Sequence, residues 1–128
     1  MESHGEVVEK DLLLRIMQAS EHPNVGLIWD IFNMWSVTKE SPAEVYATLK
    51  KYILHVHVKD AVRKDNKWHY VQVGKGETPI PEGLSALVHG GYKGFYSFEW
   101  EKKWHPTIAE PEVVIPEFPK AIAPLLNV

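Results

Sequence analysis

The chain of 128 residues contains no cysteine. That excludes disulfides, thiolate nucleophiles and cysteine-based zinc sites, leaves the redox compartment open, and obliges any metal site to use His, Asp and Glu. No apolar run approaches the roughly 18 residues of a membrane span, and the first residues carry no signal-peptide pattern. No membrane partner is expected, and a cytoplasmic location is the default. An excess of charge of one sign is also lacking: Lys and Arg number 14 against 17 Asp and Glu, a formal net charge of −3. Electrostatics therefore lends nothing to a nucleic-acid partner. Low-complexity tracts and linkers are missing, and residues 1–128 read as a single domain. The apolar content of 45% and charged content of 24% are ordinary for a globular chain with one core. Five tryptophans suit either core packing or a stacking surface for a sugar ring.

What is present is organised around His55-Val-His-Val-Lys-Asp60. It closes the run from Tyr52, a short β-branched stretch that ends in charge and reads as a buried strand. Side chains alternate along a strand, so His55, His57 and Lys59 share one face and Val56 and Val58 the other. Buried polar groups must be paired or must bind something. The ends of strands in α/β folds are where such sites are built. The plainer account is a pair of hydrogen-bonded core histidines.

Along the chain, Val8, Leu12, Ile16 and Met17 recur at the helical period within Val7 to Ser20. Pro23 ends that helix. Val25 to Asp30 is a second apolar run ending in a carboxylate, and Ile31 to Lys39 reads as a loop. Ser41-Pro-Ala-Glu44 is a helix start, with Ser as N-cap, Pro at the first position and Glu in a capping box. Lys64-Asp-Asn-Lys67 reads as the turn of a small hairpin spanning Ala61 to Val73. Gly74-Lys-Gly76 and Pro79-Ile-Pro81 punctuate a loop, Pro81 opens a helix to about His89, and Gly90-Gly91 ends it. Gly94 to Trp100 is a third apolar run ending in a carboxylate. Glu101 to Pro111 is a charged loop, and the helical segment Glu112 to Leu126 is interrupted by Pro116 and Pro119. Strands alternating with helices argue a parallel sheet of β/α units: three full strands and a possible fourth whose tail is Glu2.

The ends of these strands carry Glu2, Asp30, His57 and Glu99, one per strand, all on one rim. A lone strand-end carboxylate is ordinarily a helix cap or a solvated charge. Three carboxylates and an imidazole in register instead suit Mn²⁺, Mg²⁺, Co²⁺ or Zn²⁺, with positions left for substrate oxygens. Carboxylates so close repel unless a cation neutralises them or one holds a proton.

On Glu2-Ser-His4, Trp29-Asp30, His55 to Asp60, Val73-Gly-Lys-Gly76 with Ile80-Pro81, and Gly91 to Glu99, the chain resembles the C-terminal half of the xylose isomerase-like TIM barrels, the sugar phosphate isomerase/epimerase group. The resemblance runs over nearly the whole chain, with the motifs in the family's order and spacing. It implies an α/β fold in which parallel β/α units form the C-terminal half of a (β/α)8 barrel. It implies a divalent metal ion held by Glu2, Asp30, His57 and Glu99. Glu2 and Glu99 would also be the catalytic acid/base pair, moving a proton at the carbon beside the carbonyl of a sugar or sugar phosphate. His4 or Lys59 would hold a substrate hydroxyl or phosphate, the other role for Lys59 being a salt bridge to Asp60 or to a rim carboxylate. Trp29, Trp100 and Trp104 could wall the sugar, core packing being the alternative for Trp29. Lys103 and His105 are candidates by position, whereas His22, His69 and His89 lie in surface contexts. Two departures stand out. Asn33 occupies a place where many members have His; it can bind a sugar hydroxyl but carries no proton, and this speaks against a three-zinc endonuclease. The chain also holds only the last four of eight strands in a barrel of about 250 residues, so it reads as a fragment or as a deliberately short protein. Two other classes therefore stand beside the enzyme: a non-catalytic half-barrel remnant, and a metal- or sugar-binding module. A half-sheet with Leu27, Ile28, Ile53, Val56, Phe95 or Phe98 on a bare inner face, and with two open edges, is expected to form a homodimer or higher homo-oligomer.

Overall fold

The structure, a computed structural model, describes residues 1–126. An extended segment at residues 1–3 leads into helix α1 (Lys10–Ala19), which buries Leu13 and Met17, one turn apart on one face. Strand β1 (Leu27–Asp30) passes directly into helix α2 (Ile31–Thr38). Helix α3 (Pro42–Leu49) begins where its cap predicts, with Ser41 Oγ accepting from Glu44 N and Pro42 at the first helical position. Strand β2 (Ile53–Val58) is followed by the hairpin of β3 (Asp60–Lys64) and β4 (Lys67–Val71). Its turn residues Asp65 and Asn66 take φ of 51° and 61°, the left-handed pair that a two-residue hairpin turn requires. Helix α4 (Ile80–His89) ends at Gly90, and Gly91 follows with φ of 77°. Strand β5 (Tyr96–Phe98) precedes two short helices, α5 (Pro111–Val114) and α6 (Glu117–Ile122), and a 3₁₀ turn at Ala123–Leu125. The break between α5 and α6 falls at Pro116, whereas Pro119 lies in the first turn of α6 and does not interrupt it, since the N–H it lacks is one that a first turn leaves unbonded.

The stretch from Ile31 to Lys39 is a correction: residues 31–38 form a helix rather than a loop, and Lys39 follows it with φ of 59°. The stretch holds no glycine or proline to break a helix, and Asp30 caps its first turn by accepting from Asn33 N at 2.7 Å. Ile31, Phe32 and Met34 are buried on its inner side.

Strands β1, β2 and β5 form a parallel sheet in that order. Trp29 pairs with Val56 and Val56 with Tyr96; Asp30 pairs with His57 and His57 with Ser97. Glu2 makes a parallel bridge to Ile28, with Ile28 N donating to Met1 O and Ser3 N to Ile28 O. Four parallel stretches therefore lie side by side in chain order, the arrangement of half a TIM barrel. Leu27, Trp29, Val56 and Val58 face the helices and join Leu13, Met17, Leu49, Leu84 and Leu87 in one core. The inner face is not the branched apolar surface that the sequence suggested. Alternation turns Leu27 and Val56 into the core, Ile53 is buried there too, and Phe98 stacks on Phe118 at 4.9 Å. Ile28, His55, His57 and Ser97 are left half-buried on the inner side. No helix among the described residues is long and apolar enough to cross a membrane.

Candidate metal centre

Alternation along parallel strands brings the last inward side chain of each strand to a common rim. Asp30 closes β1, His57 lies one residue before the end of β2, Glu99 follows β5, and Glu2 sits on the flanking segment. One ligand atom from each of these four lies within 4.8 Å of the others. His57 Nδ1 is 3.0 Å from Glu2 Oε1 and 3.6 Å from Glu99 Oε2. Asp30 is fully buried, and its backbone N–H donates to Ser3 Oγ at 2.9 Å. Its Oδ1 caps α2, but its Oδ2 has no aligned hydrogen-bond partner. Lys59 Nζ stands 3.0 Å from that oxygen, close enough for an ion pair without the direction of a hydrogen bond. A buried, incompletely satisfied carboxylate oxygen beside two further carboxylates and an imidazole fits a divalent cation of the Mg²⁺, Mn²⁺, Co²⁺ or Zn²⁺ type.

The electrostatics reflect this crowding. Burial pushes the Asp30 carboxyl up to about 7, opposed by the Lys59 ammonium and helped by the neighbouring Glu99 carboxylate. For Glu99, burial also raises, but the neighbouring Asp30 carboxyl and the hydrogen-bonded ammonium of Lys59 outweigh it and hold the carboxyl below its ordinary value. For Lys59, burial lowers, yet Asp30 and Glu99 together keep the ammonium above the usual lysine range.

The remaining sequence candidates are placed as follows. Lys59 is 1% exposed and pairs with Asp30, Glu99 and Glu101 rather than with Asp60. Asn33 Nδ2 donates to Ser3 O at 3.2 Å, and His4 is exposed on the same segment. Trp29 is buried and stacks on Tyr46 at 6.0 Å. Trp100 stacks on Phe98, and its Nε1 donates to Ala109 O. Trp104 is 69% exposed, with Lys103 Nζ 4.7 Å from its ring. His105 lies edge-on to Tyr70 at 4.9 Å, and Tyr70 in turn sits beside Lys59. His22, His69 and His89 are exposed. Sequence reasoning missed the roles of Glu101, Tyr70 and the Ser3 hydroxyl. Glu101 was within reach, because residues two apart share a face of an extended chain and Glu99 is two residues earlier.

Residues 2–118 match the family described as xylose isomerase-like TIM barrel. The chain belongs to this family. No curated protein matches it in sequence. Among solved structures of the same fold, a xylose isomerase domain protein from Planctomyces limnophilus has 24% identity and a TM-score of 0.72 over 99% of this chain. The D-psicose 3-epimerase of Clostridium cellulolyticum H10, determined with D-tagatose, has 19% identity and a TM-score of 0.71 over 100% of this chain. The probable 3-DHS dehydratase AsbF of Bacillus anthracis has 17% identity and a TM-score of 0.77 over 95%. This chain spans 45%, 48% and 47% of those three chains, just under half of each. An epimerase and a probable dehydratase share the fold, so the fold of this xylose isomerase-like half-barrel does not by itself choose a reaction.

Proposed function

We propose that this half-barrel carries the metal ligands and the acid/base pair of a divalent-metal-dependent sugar or sugar phosphate isomerase/epimerase. The observation that carries the reading is the convergence of Glu2, Asp30, His57 and Glu99 within 4.8 Å. Family membership and epimerases among the structural neighbours support it. When bound, a divalent ion would supply Lewis-acid polarisation of a substrate carbonyl. Glu2 and Glu99 both reach the His57 ring, from the two ends of the four-strand order. That gives two carboxylates two directions of approach to one substrate. One takes the proton from the carbon beside the carbonyl; the other delivers a proton to the opposite face, which inverts that carbon. The exposed His4 and the half-buried Asn33 and Trp100 are the rim side chains that would orient the sugar, with Trp104 further out.

Two measurements test the reading. Mn²⁺ should raise the melting temperature of the chain, and His57→Ala or Glu99→Gln should abolish that rise; the same rise in both variants would sink the ligand assignment. With a ketose in deuterated water, turnover should place deuterium on the carbon beside the carbonyl. Turnover without exchange would point to hydride transfer instead. A second reading is a module that binds metal or sugar without turnover, which the same four-residue cluster would serve. Metal binding with no exchange on any ketose would select it.

A further inference from the structure

Lys59 is the charge that the ligand set does not explain, and the inference drawn from it rests on the metal reading above. Its ammonium is 1% exposed. Nζ donates to Glu99 Oε2 at 2.7 Å and to Glu101 Oε1 at 3.1 Å, and it faces Asp30 Oδ2 at 3.0 Å. The rings of Phe32 and Tyr70 flank it at 5.8 and 5.9 Å. An ammonium offers three donors. Two land on carboxylates in aligned hydrogen bonds, while Asp30 Oδ2 is held by charge alone.

Two relations between Lys59 and the cation site are possible. The ammonium could compete with the ion for Asp30 and Glu99, or it could orient those carboxylates for the ion. Geometry separates them. Glu101 lies outside the four-ligand cluster and gives Nζ a partner that the ion does not need. The two aromatic rings and the near-complete burial leave the ammonium no route to withdraw. Asp30 Oδ2, unaligned with Nζ, remains available to a cation. We infer that Lys59 is a positioning residue: anchored by Glu101, it fixes Glu99 and Asp30 in the orientation that takes up a divalent ion, and it stays in place when the ion binds. The carboxylate groups that hold metal ligands in line elsewhere act in the same sense with the charge reversed.

The test is calorimetric titration of the full chain with Mn²⁺, paired with the visible absorption of bound Co²⁺, which reports coordination geometry. Lys59→Met keeps the length of the side chain and removes the charge. It should weaken Mn²⁺ binding by about 10–100-fold and change the Co²⁺ bands. Unchanged or tighter binding in a folded Lys59→Met protein would overturn the inference, since a competing ammonium gives that result. Should Lys59→Met fail to fold, Glu101→Gln decides, because it keeps all four ligands and the lysine charge. Weaker Mn²⁺ binding with altered Co²⁺ bands supports the inference, and wild-type affinity with wild-type bands overturns it. A wild-type chain that binds neither ion overturns the metal reading itself, and this inference with it.

Discussion

Asp30 uses its two oxygens differently. Oδ1 caps α2 through Asn33 N, and Oδ2 faces Lys59 and the centre of the cluster. The ordinary value for such a carboxyl is 3.8, and here burial lifts it to about 7. Between those values the folded protein holds a proton that the unfolded chain has released. Stability from this group is therefore full below about pH 4 and is lost as pH rises through about 7. The expected effect is on the order of 1–4 kcal/mol. Urea midpoints measured in chelator from pH 4.5 to 7.5 should fall for the wild type and stay flatter for Asp30→Asn, which keeps a capping side chain. A wild-type midpoint that rises over this window would contradict the assignment. Saturating Mn²⁺ should shrink or reverse the decline, because a metal ligand must be deprotonated. At this scale the sequence was informative where chemistry is unusual for its place. The convergence of Glu2, Asp30, His57 and Glu99 was legible because each lies at or beside the end of a parallel stretch. The partners of Lys59 were not, since ion pairing across strands depends on register that no single segment encodes.

Elements show where local pattern suffices. The run at Ile53–Val58 and the turn at Asp65-Asn66 carry their conformations in their own residues, β-branched in one case and tolerant of positive φ in the other. Helix α2 does not. Its eight residues, IFNMWSVT, include β-branched and aromatic types with modest helix preference. Burial of Ile31, Phe32 and Met34 and the cap from Asp30 supply the stability that propensity lacks. The segment between β4 and α4 is likewise held by tertiary contacts. Asp60, fully buried, accepts from the backbone N–H of Ala61, Gly74, Gly76 and Thr78 at 2.8–3.1 Å. A Cβ on Gly76 would collide with the Asp60 carboxylate, so that glycine is needed for the backbone to approach. Asp60→Ala leaves four donors without an acceptor and should cost about 3–5 kcal/mol. Amide exchange at Gly74, Gly76 and Thr78 should speed up by more than at Leu84 or Leu87. Loss confined to global stability, with no selective exchange at the loop, would show that Asp60 does not pin it.

At the scale of the molecule, the sheet is satisfied on its helix side and open elsewhere. Among the described residues, β5 pairs only with β2, and the segment around Glu2 only with β1. The inner face, with Ile28, His55, His57 and Ser97, is half-buried, where a complete barrel would fill it with side chains from further strands. Opposite the metal rim, the strand starts expose Met1 at 45%, Val25 at 40%, Leu54 at 63% and Phe95 at 81%. These lie together: Tyr92 Oη donates to Phe95 O at 3.0 Å and lies 3.4 Å from Leu54 O, and Met1 N donates to Gly26 O. Open parallel edges next to an apolar rim favour association with another half-sheet. We propose that a second copy supplies it, as a two-fold pair that covers the inner face and the apolar rim of both partners. Because the inner face is polar, the apolar rim should contribute most of the association energy, about 25 cal/mol per Å² of apolar surface removed from water. Phe95→Glu tests this most directly, since an exposed position should change the stability of the fold itself by no more than about 0.5 kcal/mol. Light scattering at micromolar concentration should give a dimer or larger species for the wild type and a shift toward monomer for Phe95→Glu. A well-folded wild-type monomer at that concentration would refute the pairing, and an unchanged dimer in Phe95→Glu would move the interface away from the rim and onto the strand edges.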